Sequence, residues 1–294
     1  MIARLALSVA ALAVSACAAI PAADAPAVPP IAAAPAGPPG GMQWLYGSGE
    51  AAASSIQAYH AMVGYVLDRA RQRPAQSVIL AEGSTVTSPR YEACGAKPLA
   101  VVLDVDETAL LNLGYEYDEA LRGRTYDQAR WERWERTGVQ SVAPVPGAVT
   151  ALDAMRQAGI KILFNSNRMA EHATFTELAI NQAGLGPARH RDTLFLQGDV
   201  GKGSAKDARR ALIASRYCVI AMAGDQLGDF SDLFNAKTLS VPERRRIAGS
   251  VPFARNWGAG WFMLPNPVYG PSIRGNFDDI FPADKRWSDP AGEN

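Results

Sequence analysis

Apolar positions along the chain fall into two rhythms. Short runs recur at Leu99–Leu103, Ile160–Phe164, Leu194–Leu196 and Tyr217–Ala223. Each has strand length and almost no polar interruption, so each reads as a buried strand of a parallel sheet. Between them lie stretches with helical spacing. Ala58, Met62, Val63, Val66 and Leu67 predict a long amphipathic helix within residues 42–73, stopped by Pro74. Val145–Ala158 is a second helix, with Pro144 and Pro146 at its start and Gly159 just past its end. Met169–Gly184 and Ser204–Ser215 are also helical, the latter with Ser204 as its N-cap. Residues 76–98 read as a polar connector, Trp261–Pro271 as a last strand and turn, and 288–294 as a frayed tail. Strands alternating with helices predict an α/β fold, a mostly parallel, doubly wound sheet with helices on both faces.

The strand ends carry the candidate chemistry. The first run leads straight into Asp104-Val105-Asp106-Glu107-Thr108, the second into Asn165-Ser166-Asn167-Arg168, and the fourth into Gly224-Asp225 with Asp229 nearby. Ligands of such sheets bind outside the carboxyl ends of the strands. An Asp-x-Asp alone favours the plainer reading of an acidic turn after a strand. Taken singly, Ser166 and Asp229 could be helix N-caps and Lys206 a solvated helix residue. Three functional-looking clusters at three strand ends favour a site. Gly198–Lys206 looks like a phosphate loop but fails both the Walker and the dinucleotide spacings. His60, His172 and His190 share no ligand spacing.

Composition changes the picture little. The chain has 294 residues, and Lys+Arg 29 balances Asp+Glu 29, so no global field points to a nucleic acid polymer. The N-terminus adds more. Arg4 precedes an apolar Leu5–Val14 segment too short to span a bilayer. It ends in Val14-Ser15-Ala16-Cys17, like a lipobox that would place a lipid on Cys17. Residues 1–16 are expected to be a signal peptide, and 17–41 an Ala/Pro-rich tether holding a domain at residues 42–285. Residues 286–294 are expected to be a flexible tail. Contact with membrane is expected through the anchor alone, at a bacterial cell envelope, and a homodimer stays open. Cys94 and Cys218 could pair in an exported protein, or remain two buried thiols.

With these residues in hand, the chain resembles the haloacid dehalogenase superfamily, and within it the class C bacterial acid phosphatases. The resemblance rests on four ordered motifs: Asp104–Thr108, Ser166-Asn167-Arg168, Ser204-Ala205-Lys206 and Gly224–Phe230. The Trp131-x-x-Trp134 insertion and the Leu-Pro-Asn segment before Tyr269-Gly270 also fit. Leu111, Asn165 and Gly228 depart from the common pattern. The resemblance implies a Rossmann-like sheet plus a small, mainly helical cap from about residues 42–95 and 110–145. It implies a Mg²⁺-dependent phosphomonoesterase whose partner is a small phosphate monoester. Asp104 would be the nucleophile and Asp106 the acid/base. Ser166, Asn167 and Lys206 would bind phosphate. Mg²⁺ would sit on Asp104, the Asp106 carbonyl and Asp225, with Asp229 and Thr108 behind them.

Trp131 and Tyr269 would sandwich a base, making the substrate a nucleoside monophosphate. The plainer reading is that Trp131 packs with Trp134 and Tyr269 closes a turn. Two other functions compete: a ligand-capturing lipoprotein with little turnover, and a metal-dependent glycosyltransferase, which leaves the later motifs unexplained.

Overall fold

A computed structural model describes residues 37–289 apart from Lys202; the signal segment, Cys17 and most of the tether lie outside the described residues. In chain order the strands are β1 (Gln76–Leu80), β2 (Tyr91–Ala93), β3 (Leu99–Leu103), β4 (Leu110–Leu111), β5 (Ala143–Pro144), β6 (Lys161–Met169), β7 (Leu194–Gln197), β8 (Cys218–Gly224) and β9 (Trp261–Met263). The longer helices are α1 (Gly40–Gly47), α2 (Gly49–Arg71), α3 (Leu113–Arg122), α4 (Gln128–Thr137), α5 (Ala148–Gln157), α6 (Ala173–Gln182), α7 (Asp207–Arg216) and α8 (Val241–Ala248).

Five strands form one parallel sheet in the order β7-β6-β3-β8-β9, with β3 at its centre. Alternation along β3 explains its two covered faces. Val101 and Leu103 join Met62 and Val66 of α2, Leu152 of α5 and Ile180 of α6. Ala100 and Val102 join Ile213 of α7, Phe230 and Trp261 on the other side. The α2 helix begins where Ser48 accepts the amide of Ala51 at 3.0 Å, with Glu50 in its first turn and Arg69 and Arg71 in its last; both charge placements suit the helix dipole.

Two expectations are corrected. Residues 76–98 are not merely a connector: β1 and β2 pair as an antiparallel hairpin. Alternating burial in β1 puts Ser77 and Ile79 inward, where the Ser77 hydroxyl donates to the carbonyl of Val219 at 2.9 Å. The hairpin therefore docks on the sheet. Ser204 is also not an N-cap. Helix α7 starts at Asp207, and the amides of Lys206 and Asp207 donate to the Asp232 carboxylate at 2.9 and 2.6 Å. A cap supplied from so far along the chain releases Lys206 to turn inward.

The choice left open for the cysteines resolves to a disulfide. Cys94 and Cys218 are bonded to each other and fully buried. Cys218 pairs in register with Leu99 at the start of β3, so the bond fastens the hairpin to the N-terminal edge of the sheet.

Candidate active site

Strand β3 ends at Leu103, and the chain turns at once at the carboxyl edge of the sheet. Asp104 is anchored there by its amide, which donates to the carbonyl of Ala223 on β8 at 3.0 Å. Its Oδ1 accepts a 2.5 Å bond from the Nζ of Lys206, and the same ammonium reaches Oδ1 of Asp229 at 2.7 Å. No described residue donates to Oδ2 of Asp104. Asp225, at the end of β8, completes a cluster in which Asp104, Asp225 and Asp229 bring ligand oxygens within 4.8 Å of one another. Thr108 Oγ1, Asn266 Nδ2 and Gln226 Nε2 donate to Asp225 at 3.2, 2.7 and 3.1 Å.

Three carboxylates face one ammonium. Burial, then the neighbouring carboxylates, hold Asp104 well above the usual range despite Lys206. Asp225 is pushed up to about 8 by burial and by Asp229. The expected metal set took the backbone carbonyl of Asp106, and its side chain stands outside this cluster. Gly224 makes the geometry feasible, since a Cβ there would lie 2.3 Å from the Cβ of Asp229. Asp229 is not an N-cap: Gln226 caps the short turn Leu227–Asp229, and Oδ2 of Asp229, its third residue, accepts the amide of Gln226 at 2.9 Å while Oδ1 holds Lys206.

Asp106 belongs to a second network. Arg168 Nε and Asn112 Nδ2 each reach its Oδ1 at 2.9 Å, and Ser166 Oγ reaches Oδ2 at 3.3 Å. Ser166 lies within β6, not at a helix start, and also accepts the amide of Arg168. It is fully buried and its hydroxyl is turned to Asp106. Asn167 is exposed beside it. Arg209 of α7 donates to the side-chain oxygens of Asn165 and Asn167 at 2.8 and 2.5 Å, which leaves the Asn167 amide N–H groups facing outward. Next to Asp106, Glu107 adopts a positive φ of 52°. Its buried carboxyl accepts from Asn112, Tyr46 and Tyr269. Burial, then Asp106, raises it to about 7.

Asp104, Asp106, Asn167, Lys206, Asp225 and Asp229 all line one cavity of about 700 Å³. The family model for the HAD superfamily, subfamily IIIB (acid phosphatase), matches residues 50–272, a span that holds every one of these groups. The chain belongs to that family. A tomato (Solanum lycopersicum) protein named acid phosphatase 1 is 26% identical over 174 residues, covering 57% of this chain and 57% of its own length. The chain thus matches little more than half of that relative. Two structures of the class C acid phosphatase from Bacillus anthracis, one with tungstate bound, superpose with a TM-score of 0.62 at 24% identity, covering 79% of this chain and 84% of theirs; at that identity the likeness shows the fold.

In this HAD subfamily IIIB chain the aromatic expectations divide. Trp131 and Tyr269 both line the cavity. Trp134 is a packing residue. Its ring fills the space beside Gly114 and Gly138, where a Cβ would lie 2.9 and 2.0 Å from it. Trp131 is held by several partners. Its Nε1 donates to Glu135 at 2.9 Å, Tyr115 meets it edge-on at 4.9 Å, and the Arg168 guanidinium lies 5.7 Å over its ring. Glu135 is buried and also accepts from His172 and the amide of Met169. His172 and His190, the latter paired with Asp199, serve packing networks, and His60 is exposed.

The sequence motifs contain Glu107, Arg168 and Asn266 without assigning them a role, and Asn112 lies outside them. The signal for Arg168 was its place in the polar stretch that directly follows an apolar strand run; an arginine buried there must be paired.

Proposed function

We propose that this chain is a Mg²⁺-dependent acid phosphomonoesterase that acts through an aspartyl phosphate, with nucleoside monophosphates as its substrates. The carrying observation is the Asp104–Lys206–Asp229 cluster beside Asp225, set in the same cavity as an Asp106 gripped by Arg168. The cluster suits a hard divalent cation: its donors are all oxygens, they lie close together, and their charge exceeds what Lys206 neutralises. Asp104 and Asp225 would hold Mg²⁺ with the carbonyl of Asp106. When bound, the ion supplies neutralisation of charge on the transferring phosphoryl group.

The chain's own residues supply the rest. Oδ2 of Asp104, free of donors, attacks phosphorus while Lys206 fixes the carboxylate through Oδ1. As the ester P–O bond breaks, Asp106 gives its proton to the departing alcohol oxygen. It then takes a proton from the water that attacks the aspartyl phosphate, which releases inorganic phosphate and restores Asp104. Arg168, Asn112 and Ser166 keep Asp106 aimed through both steps. Asn167 and Lys206 donate to phosphoryl oxygens. Trp131 and Tyr269 face the base.

Hydrolysis of a chromogenic phosphate ester tests this reading. Activity that EDTA removes and Mg²⁺ restores, and that Asp104→Asn abolishes, is the expected result. Asp106→Asn is expected to be severe for alkyl esters and milder for phenolic ones, which need little protonation. Asp104→Asn with wild-type kcat overturns the assignment.

The reading extends to an envelope location through a lipid on Cys17. Its support is the apolar leader and the Cys94–Cys218 disulfide, a bond of oxidising compartments. Cys17→Ser is expected to release the protein from the membrane fraction with its specific activity unchanged.

A further inference from the structure

One wall group of the cavity has no part in the chemistry above. Among the carboxyls there, Glu119 pairs with Arg130, and Asp232 caps α7. Glu116 has no hydrogen-bond or ion-pair partner among the described residues. It is 4% exposed, its Oε2 is shielded and without a hydrogen-bond partner, and no described residue donates to either oxygen. Leaving a buried acceptor unmet is costly, so its position on a cavity wall invites a ligand donor.

Its place in the fold says which part of the ligand. Glu116 stands one helical turn beyond Asn112, whose carbonyl accepts its amide at 3.1 Å and whose side chain grips Asp106. Asp106 meets the departing alcohol, so Glu116 lies on the alcohol side of the site, near Tyr115. Burial, with Glu107, Glu119 and Asp106 as like charges and Arg130 opposing them, pushes the carboxyl up to about 9. It is then a neutral acid at working pH, able to donate one hydrogen bond and accept another. Neutral hydroxyls match that pattern better than a cation does.

We propose that Glu116 is a specificity-determining residue whose carboxyl hydrogen-bonds a hydroxyl on the alcohol part of the ester, selecting sugar and polyol phosphates over alkyl phosphates. This rests on the phosphomonoesterase reading and adds a substrate class to it.

The test compares kcat/KM for glycerol phosphate and propyl phosphate, equal in chain length and charge, on the full chain with Mg²⁺. The wild type is expected to prefer glycerol phosphate about tenfold, the effect of one neutral hydrogen bond. Glu116→Leu brings the ratio near one. Glu116→Gln, which keeps a donor and an acceptor, retains most of it; Glu116→Ala replaces the leucine variant if that lowers the melting temperature. An unchanged ratio in active variants overturns the proposal alone. A larger loss on ethanolamine phosphate than on glycerol phosphate makes a cation the ligand and overturns it too. Failure of the wild type to hydrolyse any ester overturns the phosphatase reading, and this one with it.

Discussion

At the scale of single residues, the site holds well-paired carboxylates beside one buried carboxyl, Glu116, whose Oε2 has no partner. Glu116 shows the consequence for stability. Its carboxyl keeps its proton in the fold to about pH 9, while in the unfolded chain it ionises near the ordinary value of 4.5. Between those limits the folded state binds more protons, so stability from this group is complete below about pH 4.5 and declines as pH rises towards 9. Glu116→Gln removes that slope. Melting temperatures of the two proteins from pH 5 to 9 are expected to diverge, with the variant gaining relative to wild type at the alkaline end; parallel curves would refute the assignment. The same residues set the limit of sequence reading. Asp104, Asp106 and Asp225 were legible because they follow apolar runs. Glu116 was not, since one acidic residue among Tyr115, Tyr117 and Asp118 looks like any helix surface. Only the fold shows it turned inward.

At the scale of elements, α4 links the proposed base platform to the proposed acid/base, Asp106. Trp131 lies against Arg168, and Arg168 holds Asp106. Glu135 ties α4 to the end of β6 and to His172. Trp131→Ala is expected to raise KM for a nucleoside monophosphate roughly ten- to hundred-fold, since stacking on a base contributes ~1–3 kcal/mol. KM for glycerol phosphate should change much less. Equal losses on both, with a lowered melting temperature, would mark the ring as packing only. The central strands and the helices between them were readable from periodicity, because burial on both faces leaves apolar runs. The β1–β2 hairpin escaped, since one of its faces is wet and a polar turn parts its strands. The start of α7 escaped for another reason. Its cap, Asp232, lies beyond the following strand, and no local pattern announces it.

At the scale of the whole molecule, the disulfide and the sheet order govern how the parts hold together. Cys94 and Cys218 are separated by 124 positions. Closing a loop of that length stabilises a fold by about 2–4 kcal/mol in typical cases. Cys94→Ser with Cys218→Ser is expected to lower the denaturation free energy by that order, measured in urea, while the carboxyl-edge site, at the far end of the strands, keeps its KM. The sheet order has a different consequence, one for biosynthesis. The first strand of the main sheet to leave the ribosome, β3, becomes its middle, and Asp104 waits on Lys206, Asp225 and Asp229, encoded much later; the donors to Asp225 and Glu107, Asn266 and Tyr269, come last. No amino-terminal fragment contains a working subset. A chain that stops before Asp229 is expected to release no phosphate from a chromogenic ester. A growing chain therefore cannot assemble the carboxylate–ammonium cluster at Asp104 until its last third has been made and folded.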